Sequence, residues 1–125
     1  MAQTPVYIVD DSASIRARLV EMLGGLADVI VVGESTAQGE AIEGILRTHP
    51  GAVLLDLRLL DGSGLEVLKA VRLKQPDIVF VVLTNHAEPQ YRNACARAGA
   101  AYFLDKSTEF ERVREVIAEI AATRH

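Results

Sequence analysis

Five short apolar runs, separated by longer stretches of helical period, constrain this chain more than any other feature. The runs are Val6-Tyr7-Ile8-Val9, Val29 to Val32, Val53 to Leu55, Ile78 to Leu83 and Tyr102 to Leu104. They are mostly β-branched and nearly continuous, the pattern expected of strands covered on both faces. Between and after them lie amphipathic stretches. Ile15, Leu19, Met22 and Leu23 mark the first, Ala41, Ile42, Ile45 and Leu46 the second, and Leu65, Leu68 and Val71 the third. Ala94 and Ala98 mark the fourth, and Val113, Val116, Ile117 and Ile120 the fifth. Five strands alternating with five helices imply a parallel sheet with right-handed crossovers and helices on both faces. At 125 residues the expected fold is α/β, a flavodoxin-like (βα)5 doubly wound sheet of strand order 2-1-3-4-5, with one domain filling residues 1–125.

Local signals agree with these limits. Ser35 with Gln38, Ser63 with Glu66, and Thr108 with Glu111 have capping-box spacing. Pro50-Gly51, Gln75-Pro76 and Gly99 stand where helices should stop.

Composition removes several classes of function. The net charge is −4 and no cluster of Lys and Arg appears, which argues against a direct nucleic-acid surface. No apolar run is long enough to span a membrane, and the start, Met1-Ala2-Gln3-Thr4-Pro5, does not read as a signal peptide. The single cysteine, Cys95, excludes an intrachain disulfide and reads as a small buried helix residue. A reducing, cytoplasmic setting is expected. His49, His86 and His125 are too scattered to build a metal site.

The charged and polar residues at the strand ends carry the chemistry. Asp10 and Asp11 close the first strand, Asp56 the third and Thr84 the fourth, and Lys106 follows the fifth. In a doubly wound sheet all five fall at the carboxyl edge, near the switch point between the first and third strands. Read singly, each has an ordinary explanation: Asp11 or Ser12 as a helix cap, Asp56 as a turn residue, Thr84 as a strand end, Lys106 as a surface lysine. Read together, three carboxylates in one crevice favour a hard cation, and Mg2+ suits carboxylate and water ligands. Lys106 can pair with a carboxylate or a phosphoryl oxygen, and Thr84 can donate to another. That set suits in-line phosphoryl transfer to a carboxylate.

With VYIVDDSASIR, the segment LLDLRLLDGSGLEVL, VVLTNHA and AGAAYFLDKS in place, the sequence resembles the receiver domains of two-component response regulators (CheY-like) over essentially its whole length. The resemblance implies that Asp56 is the phosphoacceptor. It assigns Asp10, Asp11 and Asp56, with the backbone carbonyl of Arg58, to Mg2+. It makes Thr84 the switch hydroxyl, Phe103 the switch aromatic and Lys106 the phosphate-pairing lysine. The implied donor is a sensor histidine kinase or a histidine phosphotransfer protein. The implied output is a downstream protein or a homodimer, through the face of the fourth helix, fifth strand and fifth helix, with no catalysis beyond the chain's own phosphorylation and dephosphorylation.

Four positions depart from the commonest pattern of that family. Leu60 and Ser107 stand where proline is frequent, Asn85 where a smaller residue is common, and Phe103 lacks a hydroxyl. Arg58 and His86 are expected at the rim of the site, with His86 tuning dephosphorylation. An aspartate-nucleophile phosphatase of the haloacid-dehalogenase kind is the main alternative. It needs a second acid two residues after the nucleophile, where Arg58 follows Asp56 and Ser12 follows Asp10. A receiver-like module that is never phosphorylated is a third reading, disfavoured by the complete residue set. Met1 and the absence of a trailing linker suggest a stand-alone domain. VVGESTAQGEAIEGI and DGSGLEVL resemble receivers joined to a DNA-binding helix-turn-helix, which leaves an excised receiver of a DNA-binding regulator as the alternative.

Overall fold

The computed structural model describes residues 2–124; Met1 and the terminal His125 lie outside them. The elements run β1 (Thr4–Val9), α1 (Ala13–Gly24), β2 (Val29–Ser35), α2 (Gln38–Thr48), β3 (Ala52–Leu55) and α3 (Gly64–Lys74). They continue with β4 (Val79–Thr84), α4 (Pro89–Ala98), β5 (Tyr102–Asp105), α5 (Lys106–Glu109) and α6 (Arg112–Arg124). The sheet is parallel with order β2-β1-β3-β4-β5, as the alternation of runs implied.

Side-chain alternation along the inner strands divides the core in two. Val6 and Ile8 of β1, Leu54 of β3 and Val81 and Leu83 of β4 meet α1 and α6, through Leu19, Leu23, Val113 and Ile117. Tyr7 and Val9, Val53 and Leu55, and Phe80 meet α2 and α3, through Ala41, Ile45, Val67, Leu68 and Val71. Truncating a fully buried member such as Leu54 to alanine costs about 2–5 kcal/mol in cores of this kind. Cys95 is buried in α4, and burial pushes its thiol pKa up, as suits an inert residue.

Three expectations need correction. The strand β2 is not covered on both faces: Ile30 and Val32 are exposed, because β2 is a sheet edge and its register shifts opposite Val6 and Tyr7. There are six helices among the described residues rather than five, since Asp105 accepts a hydrogen bond from the Ser107 amide and starts the short α5. The helix expected after the fifth strand is therefore α6, and Thr108 lies inside α5 rather than capping it.

The other capping boxes are also altered. Ser35 is buried at the end of β2, where its hydroxyl pairs with the Tyr7 hydroxyl, and the N-cap position of α2 falls on Ala37, which offers no side-chain cap. Ser63 does cap α3, accepting from the Leu65 amide at 3.1 Å. Its own N–H is taken by Gln38 Oε1 at 3.0 Å, and Glu66 instead lies 3.7 Å from Lys69 Nζ. Ser12 caps α1, accepting from the Ile15 amide. His49, beside Pro50, ends α2 with a left-handed backbone, and Gly99 does the same for α4.

The connection from β3 into α3 brings the backbone of Gly64 against that of Asp56. A Cβ on Gly64 would strike the main-chain carbonyl oxygen of Asp56. Gly64→Ala is therefore expected to lower stability by about 2–3 kcal/mol, since backbone cannot yield as a side chain can. A urea midpoint that stays at the wild-type value would contradict this.

Candidate functional site

Four strand ends converge on one crevice. β1 lies between β2 and β3, with Val9 opposite Leu55 in the ladder, so the next residues, Asp10 and Asp56, emerge side by side. Main-chain bonds hold both: the Asp10 amide donates to Ser35 O at 3.1 Å, and the Asp56 amide to Val9 O at 2.9 Å. β4 adds Thr84 at its last position, paired in register with Asp105, and Lys106 follows directly.

Burial and charge make this more than a juxtaposition. Asp10 is 2% exposed, Asp56 7% and Thr84 0%. Lys106 is no surface lysine: its side chain is 9% exposed, and Nζ lies 2.7 Å from Asp10 Oδ2 and 2.8 Å from Asp56 Oδ2. The second oxygen of each carboxylate is also engaged. Asp10 Oδ1 accepts from the Ser12 amide at 2.9 Å, and Asp56 Oδ1 from the Leu57 amide at 2.7 Å. Burial works against the Lys106 ammonium, but the hydrogen bonds and charges of Asp10 and Asp56 outweigh it, and its pKa is raised.

Oxygen atoms of Asp10, Asp11 and Asp56 all lie within 4.8 Å of one another, with Asp11 exposed at the mouth. Three carboxylates with one ammonium leave a net negative charge and an all-oxygen donor set. That chemistry fits a hard divalent ion of the Mg2+ type, which keeps part of its water shell.

Thr84 Oγ1 accepts a hydrogen bond from the His86 amide at 3.1 Å, and among the described residues its own proton goes to no acceptor. Phe103 lies one strand over and is half-buried. The Arg92 guanidinium stacks over its ring, 4.5 Å from the centroid, and donates to its carbonyl at 3.3 Å. Tyr102, on the opposite side of β5, packs against the core shared by α1 and α6.

Arg58 and His86, both expected at the rim, line one small cavity of about 150 Å³ between the strand-end loops, α3 and α4, together with Tyr91 and Cys95. The Arg58 backbone pairs in an antiparallel bridge with Ser63.

Three contributors were not visible beforehand. Arg16 donates to the Asp10 carbonyl at 2.7 Å while pairing with Glu34, which anchors the β1–α1 turn. Arg92 covers Phe103, and Gln38 reaches the loop after Asp56. Arg16 sits within VYIVDDSASIR, one turn into α1, and that placement was its only sequence signal. The contacts of Arg92 and Gln38 cross 11 and 25 residues and had none.

Comparison with known proteins gives one family. The chain matches the family model described as the response regulator receiver domain over residues 6–118. It is 29% identical over 119 residues to the DNA-binding transcriptional activator DevR/DosR of Mycobacterium tuberculosis, covering 95% of this chain and 55% of that protein. It is 39% identical over 111 residues to the regulatory protein LuxO of Vibrio cholerae, covering 88% of this chain and 24% of that one. The chain thus spans about half the length of the first relative and about a quarter of the second. Among solved structures, the REC domain of AraT, a response regulator from Geobacillus stearothermophilus, is similar with a TM-score of 0.85 at 30% identity, covering 96% of this chain and 94% of that one.

Proposed function

The chain belongs to the response regulator receiver domain family, and from that premise we propose that it is a phosphorylation-driven switch whose acceptor is Asp56. The observation that carries this reading is the Lys106 ammonium shared by Asp10 and Asp56 at adjoining strand ends. It sets one carboxylate between a cation and a metal-binding pair. Asp10, Asp11, Asp56 and the Arg58 carbonyl would hold Mg2+, which when bound neutralises charge on the acceptor and on the incoming phosphoryl oxygens.

The residues of the chain do the rest. An Asp56 carboxylate oxygen attacks phosphorus in line, and the O–P bond forms as the P–N bond to the donor imidazole breaks. Lys106 then pairs with a phosphoryl oxygen. Thr84, whose proton is uncommitted, donates to another. That movement opens space near β5, and Phe103 repacks from beneath Arg92, shifting the α4–β5–α6 face between two pre-existing arrangements. The donor is a histidine kinase or histidine phosphotransfer protein, in a cytoplasmic setting, and the reader of the face is a protein partner or a second copy of the chain. No helix among the described residues is long and apolar enough to cross a membrane. DNA binding is named for DevR/DosR, of which this chain spans 55%. We read the chain itself as the phosphoacceptor part of such a system, whether it acts alone or within a longer regulator.

Two measurements test the switch. Acetyl phosphate with Mg2+ should add one phosphoryl group, and chelation should prevent it; labelling that ignores chelation counts against the site. Thr84→Ala should still be labelled, but the amide shifts across α4, β5 and α6 on phosphorylation should shrink to a small fraction of their wild-type size. Shifts of wild-type size in Thr84→Ala would break the coupling between hydroxyl and face.

A further inference from the structure

The loop that follows Asp56 is held from outside, by the start of α2. Its base is closed by the Arg58–Ser63 bridge and by the Gly64 amide donating to Leu57 O at 2.9 Å. Its tip is gripped at three points. The Leu60 amide donates to Thr36 O at 2.9 Å, the Gln38 amide to Asp61 O at 2.7 Å, and the Ser63 amide to Gln38 Oε1 at 3.0 Å. Glu40 Oε1 in turn accepts from the Thr36 amide at 3.0 Å and steadies that end of the clasp. Gly62 takes a positive φ of 91°, and the Gln38 side chain fills the space where a Cβ would stand.

Two sequence features acquire a reason here. A proline at position 60 would have no N–H to give Thr36. Leu60 therefore replaces ring stiffness with a bond to a distant part of the chain. Gln38 opens α2, yet its side-chain oxygen serves a partner 25 residues away rather than its own helix.

We propose that Gln38 is a positioning residue for the metal site: by clasping the loop tip it fixes the Arg58 backbone, and the N-terminal end of α2 thereby responds to occupancy of that metal site. The proposal rests on the reading of Asp10, Asp11, Asp56 and the Arg58 carbonyl as Mg2+ ligands. Reciprocity follows from linkage: if the clasp favours the ion, the ion must tighten the clasp by the same factor.

The test uses the full chain and Mg2+ alone, followed by amide NMR and hydrogen exchange in wild type, Gln38→Met and Gln38→Glu. Methionine keeps the length of the side chain but provides no comparable acceptor, whereas glutamate keeps the acceptor. Gln38→Met should weaken Mg2+ binding by about fivefold to tenfold, the weight of one net hydrogen bond. Gln38→Glu should bind at least as tightly as wild type. Mg2+ should slow exchange of the Leu60 and Ser63 amides in wild type and not in Gln38→Met. Mg2+ affinity in Gln38→Met equal to wild type, or equal weakening in Gln38→Glu, would overturn the positioning role. A wild type in which Mg2+ leaves the Asp11 and Leu57 amides unmoved would instead overturn the metal reading itself, and the proposal with it.

Discussion

Asp56→Asn is expected to abolish phosphoryl incorporation while leaving the fold intact. The amide is nearly isosteric, and its oxygen can still accept from the Leu57 amide or from Lys106 Nζ, so stability should change by only about 1 kcal/mol. What is lost is the anionic nucleophile. No neighbouring carboxylate can replace it. Asp10 is buried too and its carboxylate is engaged as that of Asp56 is, but its main chain is pinned on both sides, the amide by Ser35 O and the carbonyl by Arg16, which holds it back at the end of β1. Asp11 is exposed and has no ammonium beside it among the described residues. Intact-protein mass spectrometry under excess acetyl phosphate reads the outcome directly, and wild-type labelling of Asp56→Asn would refute the assignment.

Lys106→Met should have the second largest effect, and it should act in opposite directions on two observables. Without the ammonium, Asp10 and Asp56 keep their buried negative charge and lose their shared partner, which in comparable buried pairs costs about 3 kcal/mol. Mg2+ should then bind more tightly than in wild type, because no internal cation competes for the same oxygens, and the ion should restore part of the lost stability. Phosphoryl transfer should fall by about 100-fold, as when one preorganised cation or donor is removed from a transition state.

The pH dependence follows from the raised Lys106 pKa. A group whose folded pKa lies above its unfolded value stabilises fully below the unfolded value, here 10.5, and loses that contribution as pH rises through the folded value. The stability gap between wild type and Lys106→Met should therefore be constant from neutral pH up to near the unfolded value of 10.5 and close as pH rises beyond it. Denaturant midpoints across that range decide the point, and a gap that widens in alkali would contradict the ion pair.

The inner strands were legible because their side chains are covered on both faces, which writes a nearly unbroken apolar run into β1, β3 and β4. Each run stops at a polar residue, which places Asp10, Asp56 and Thr84 at the carboxyl edge from the sequence alone. β2 misled for the converse reason: Ile30 and Val32 are apolar but face solvent at a sheet edge. Capping spacings misled where a hydroxyl or amide had a better partner far away in sequence. Ser35 turns to Tyr7 across 28 residues, and Gln38 to Ser63 across 25. The short α5 escaped because four residues carry no period. The depth of Lys106 could not be read either. A lysine in AGAAYFLDKS looks like surface until the sheet brings in two carboxylates that lie 96 and 50 residues before it.

The most direct test of the central claim is to locate the phosphoryl group chemically. Wild-type protein treated with acetyl phosphate and Mg2+ is reduced with borohydride, which converts an aspartyl phosphate to homoserine, and the digest is sequenced by tandem mass spectrometry. The account predicts homoserine at position 56 and at no other position. Reduction at Asp10 or Asp11, a phosphoryl group on His49 or His86, or no modification under donor excess would contradict it.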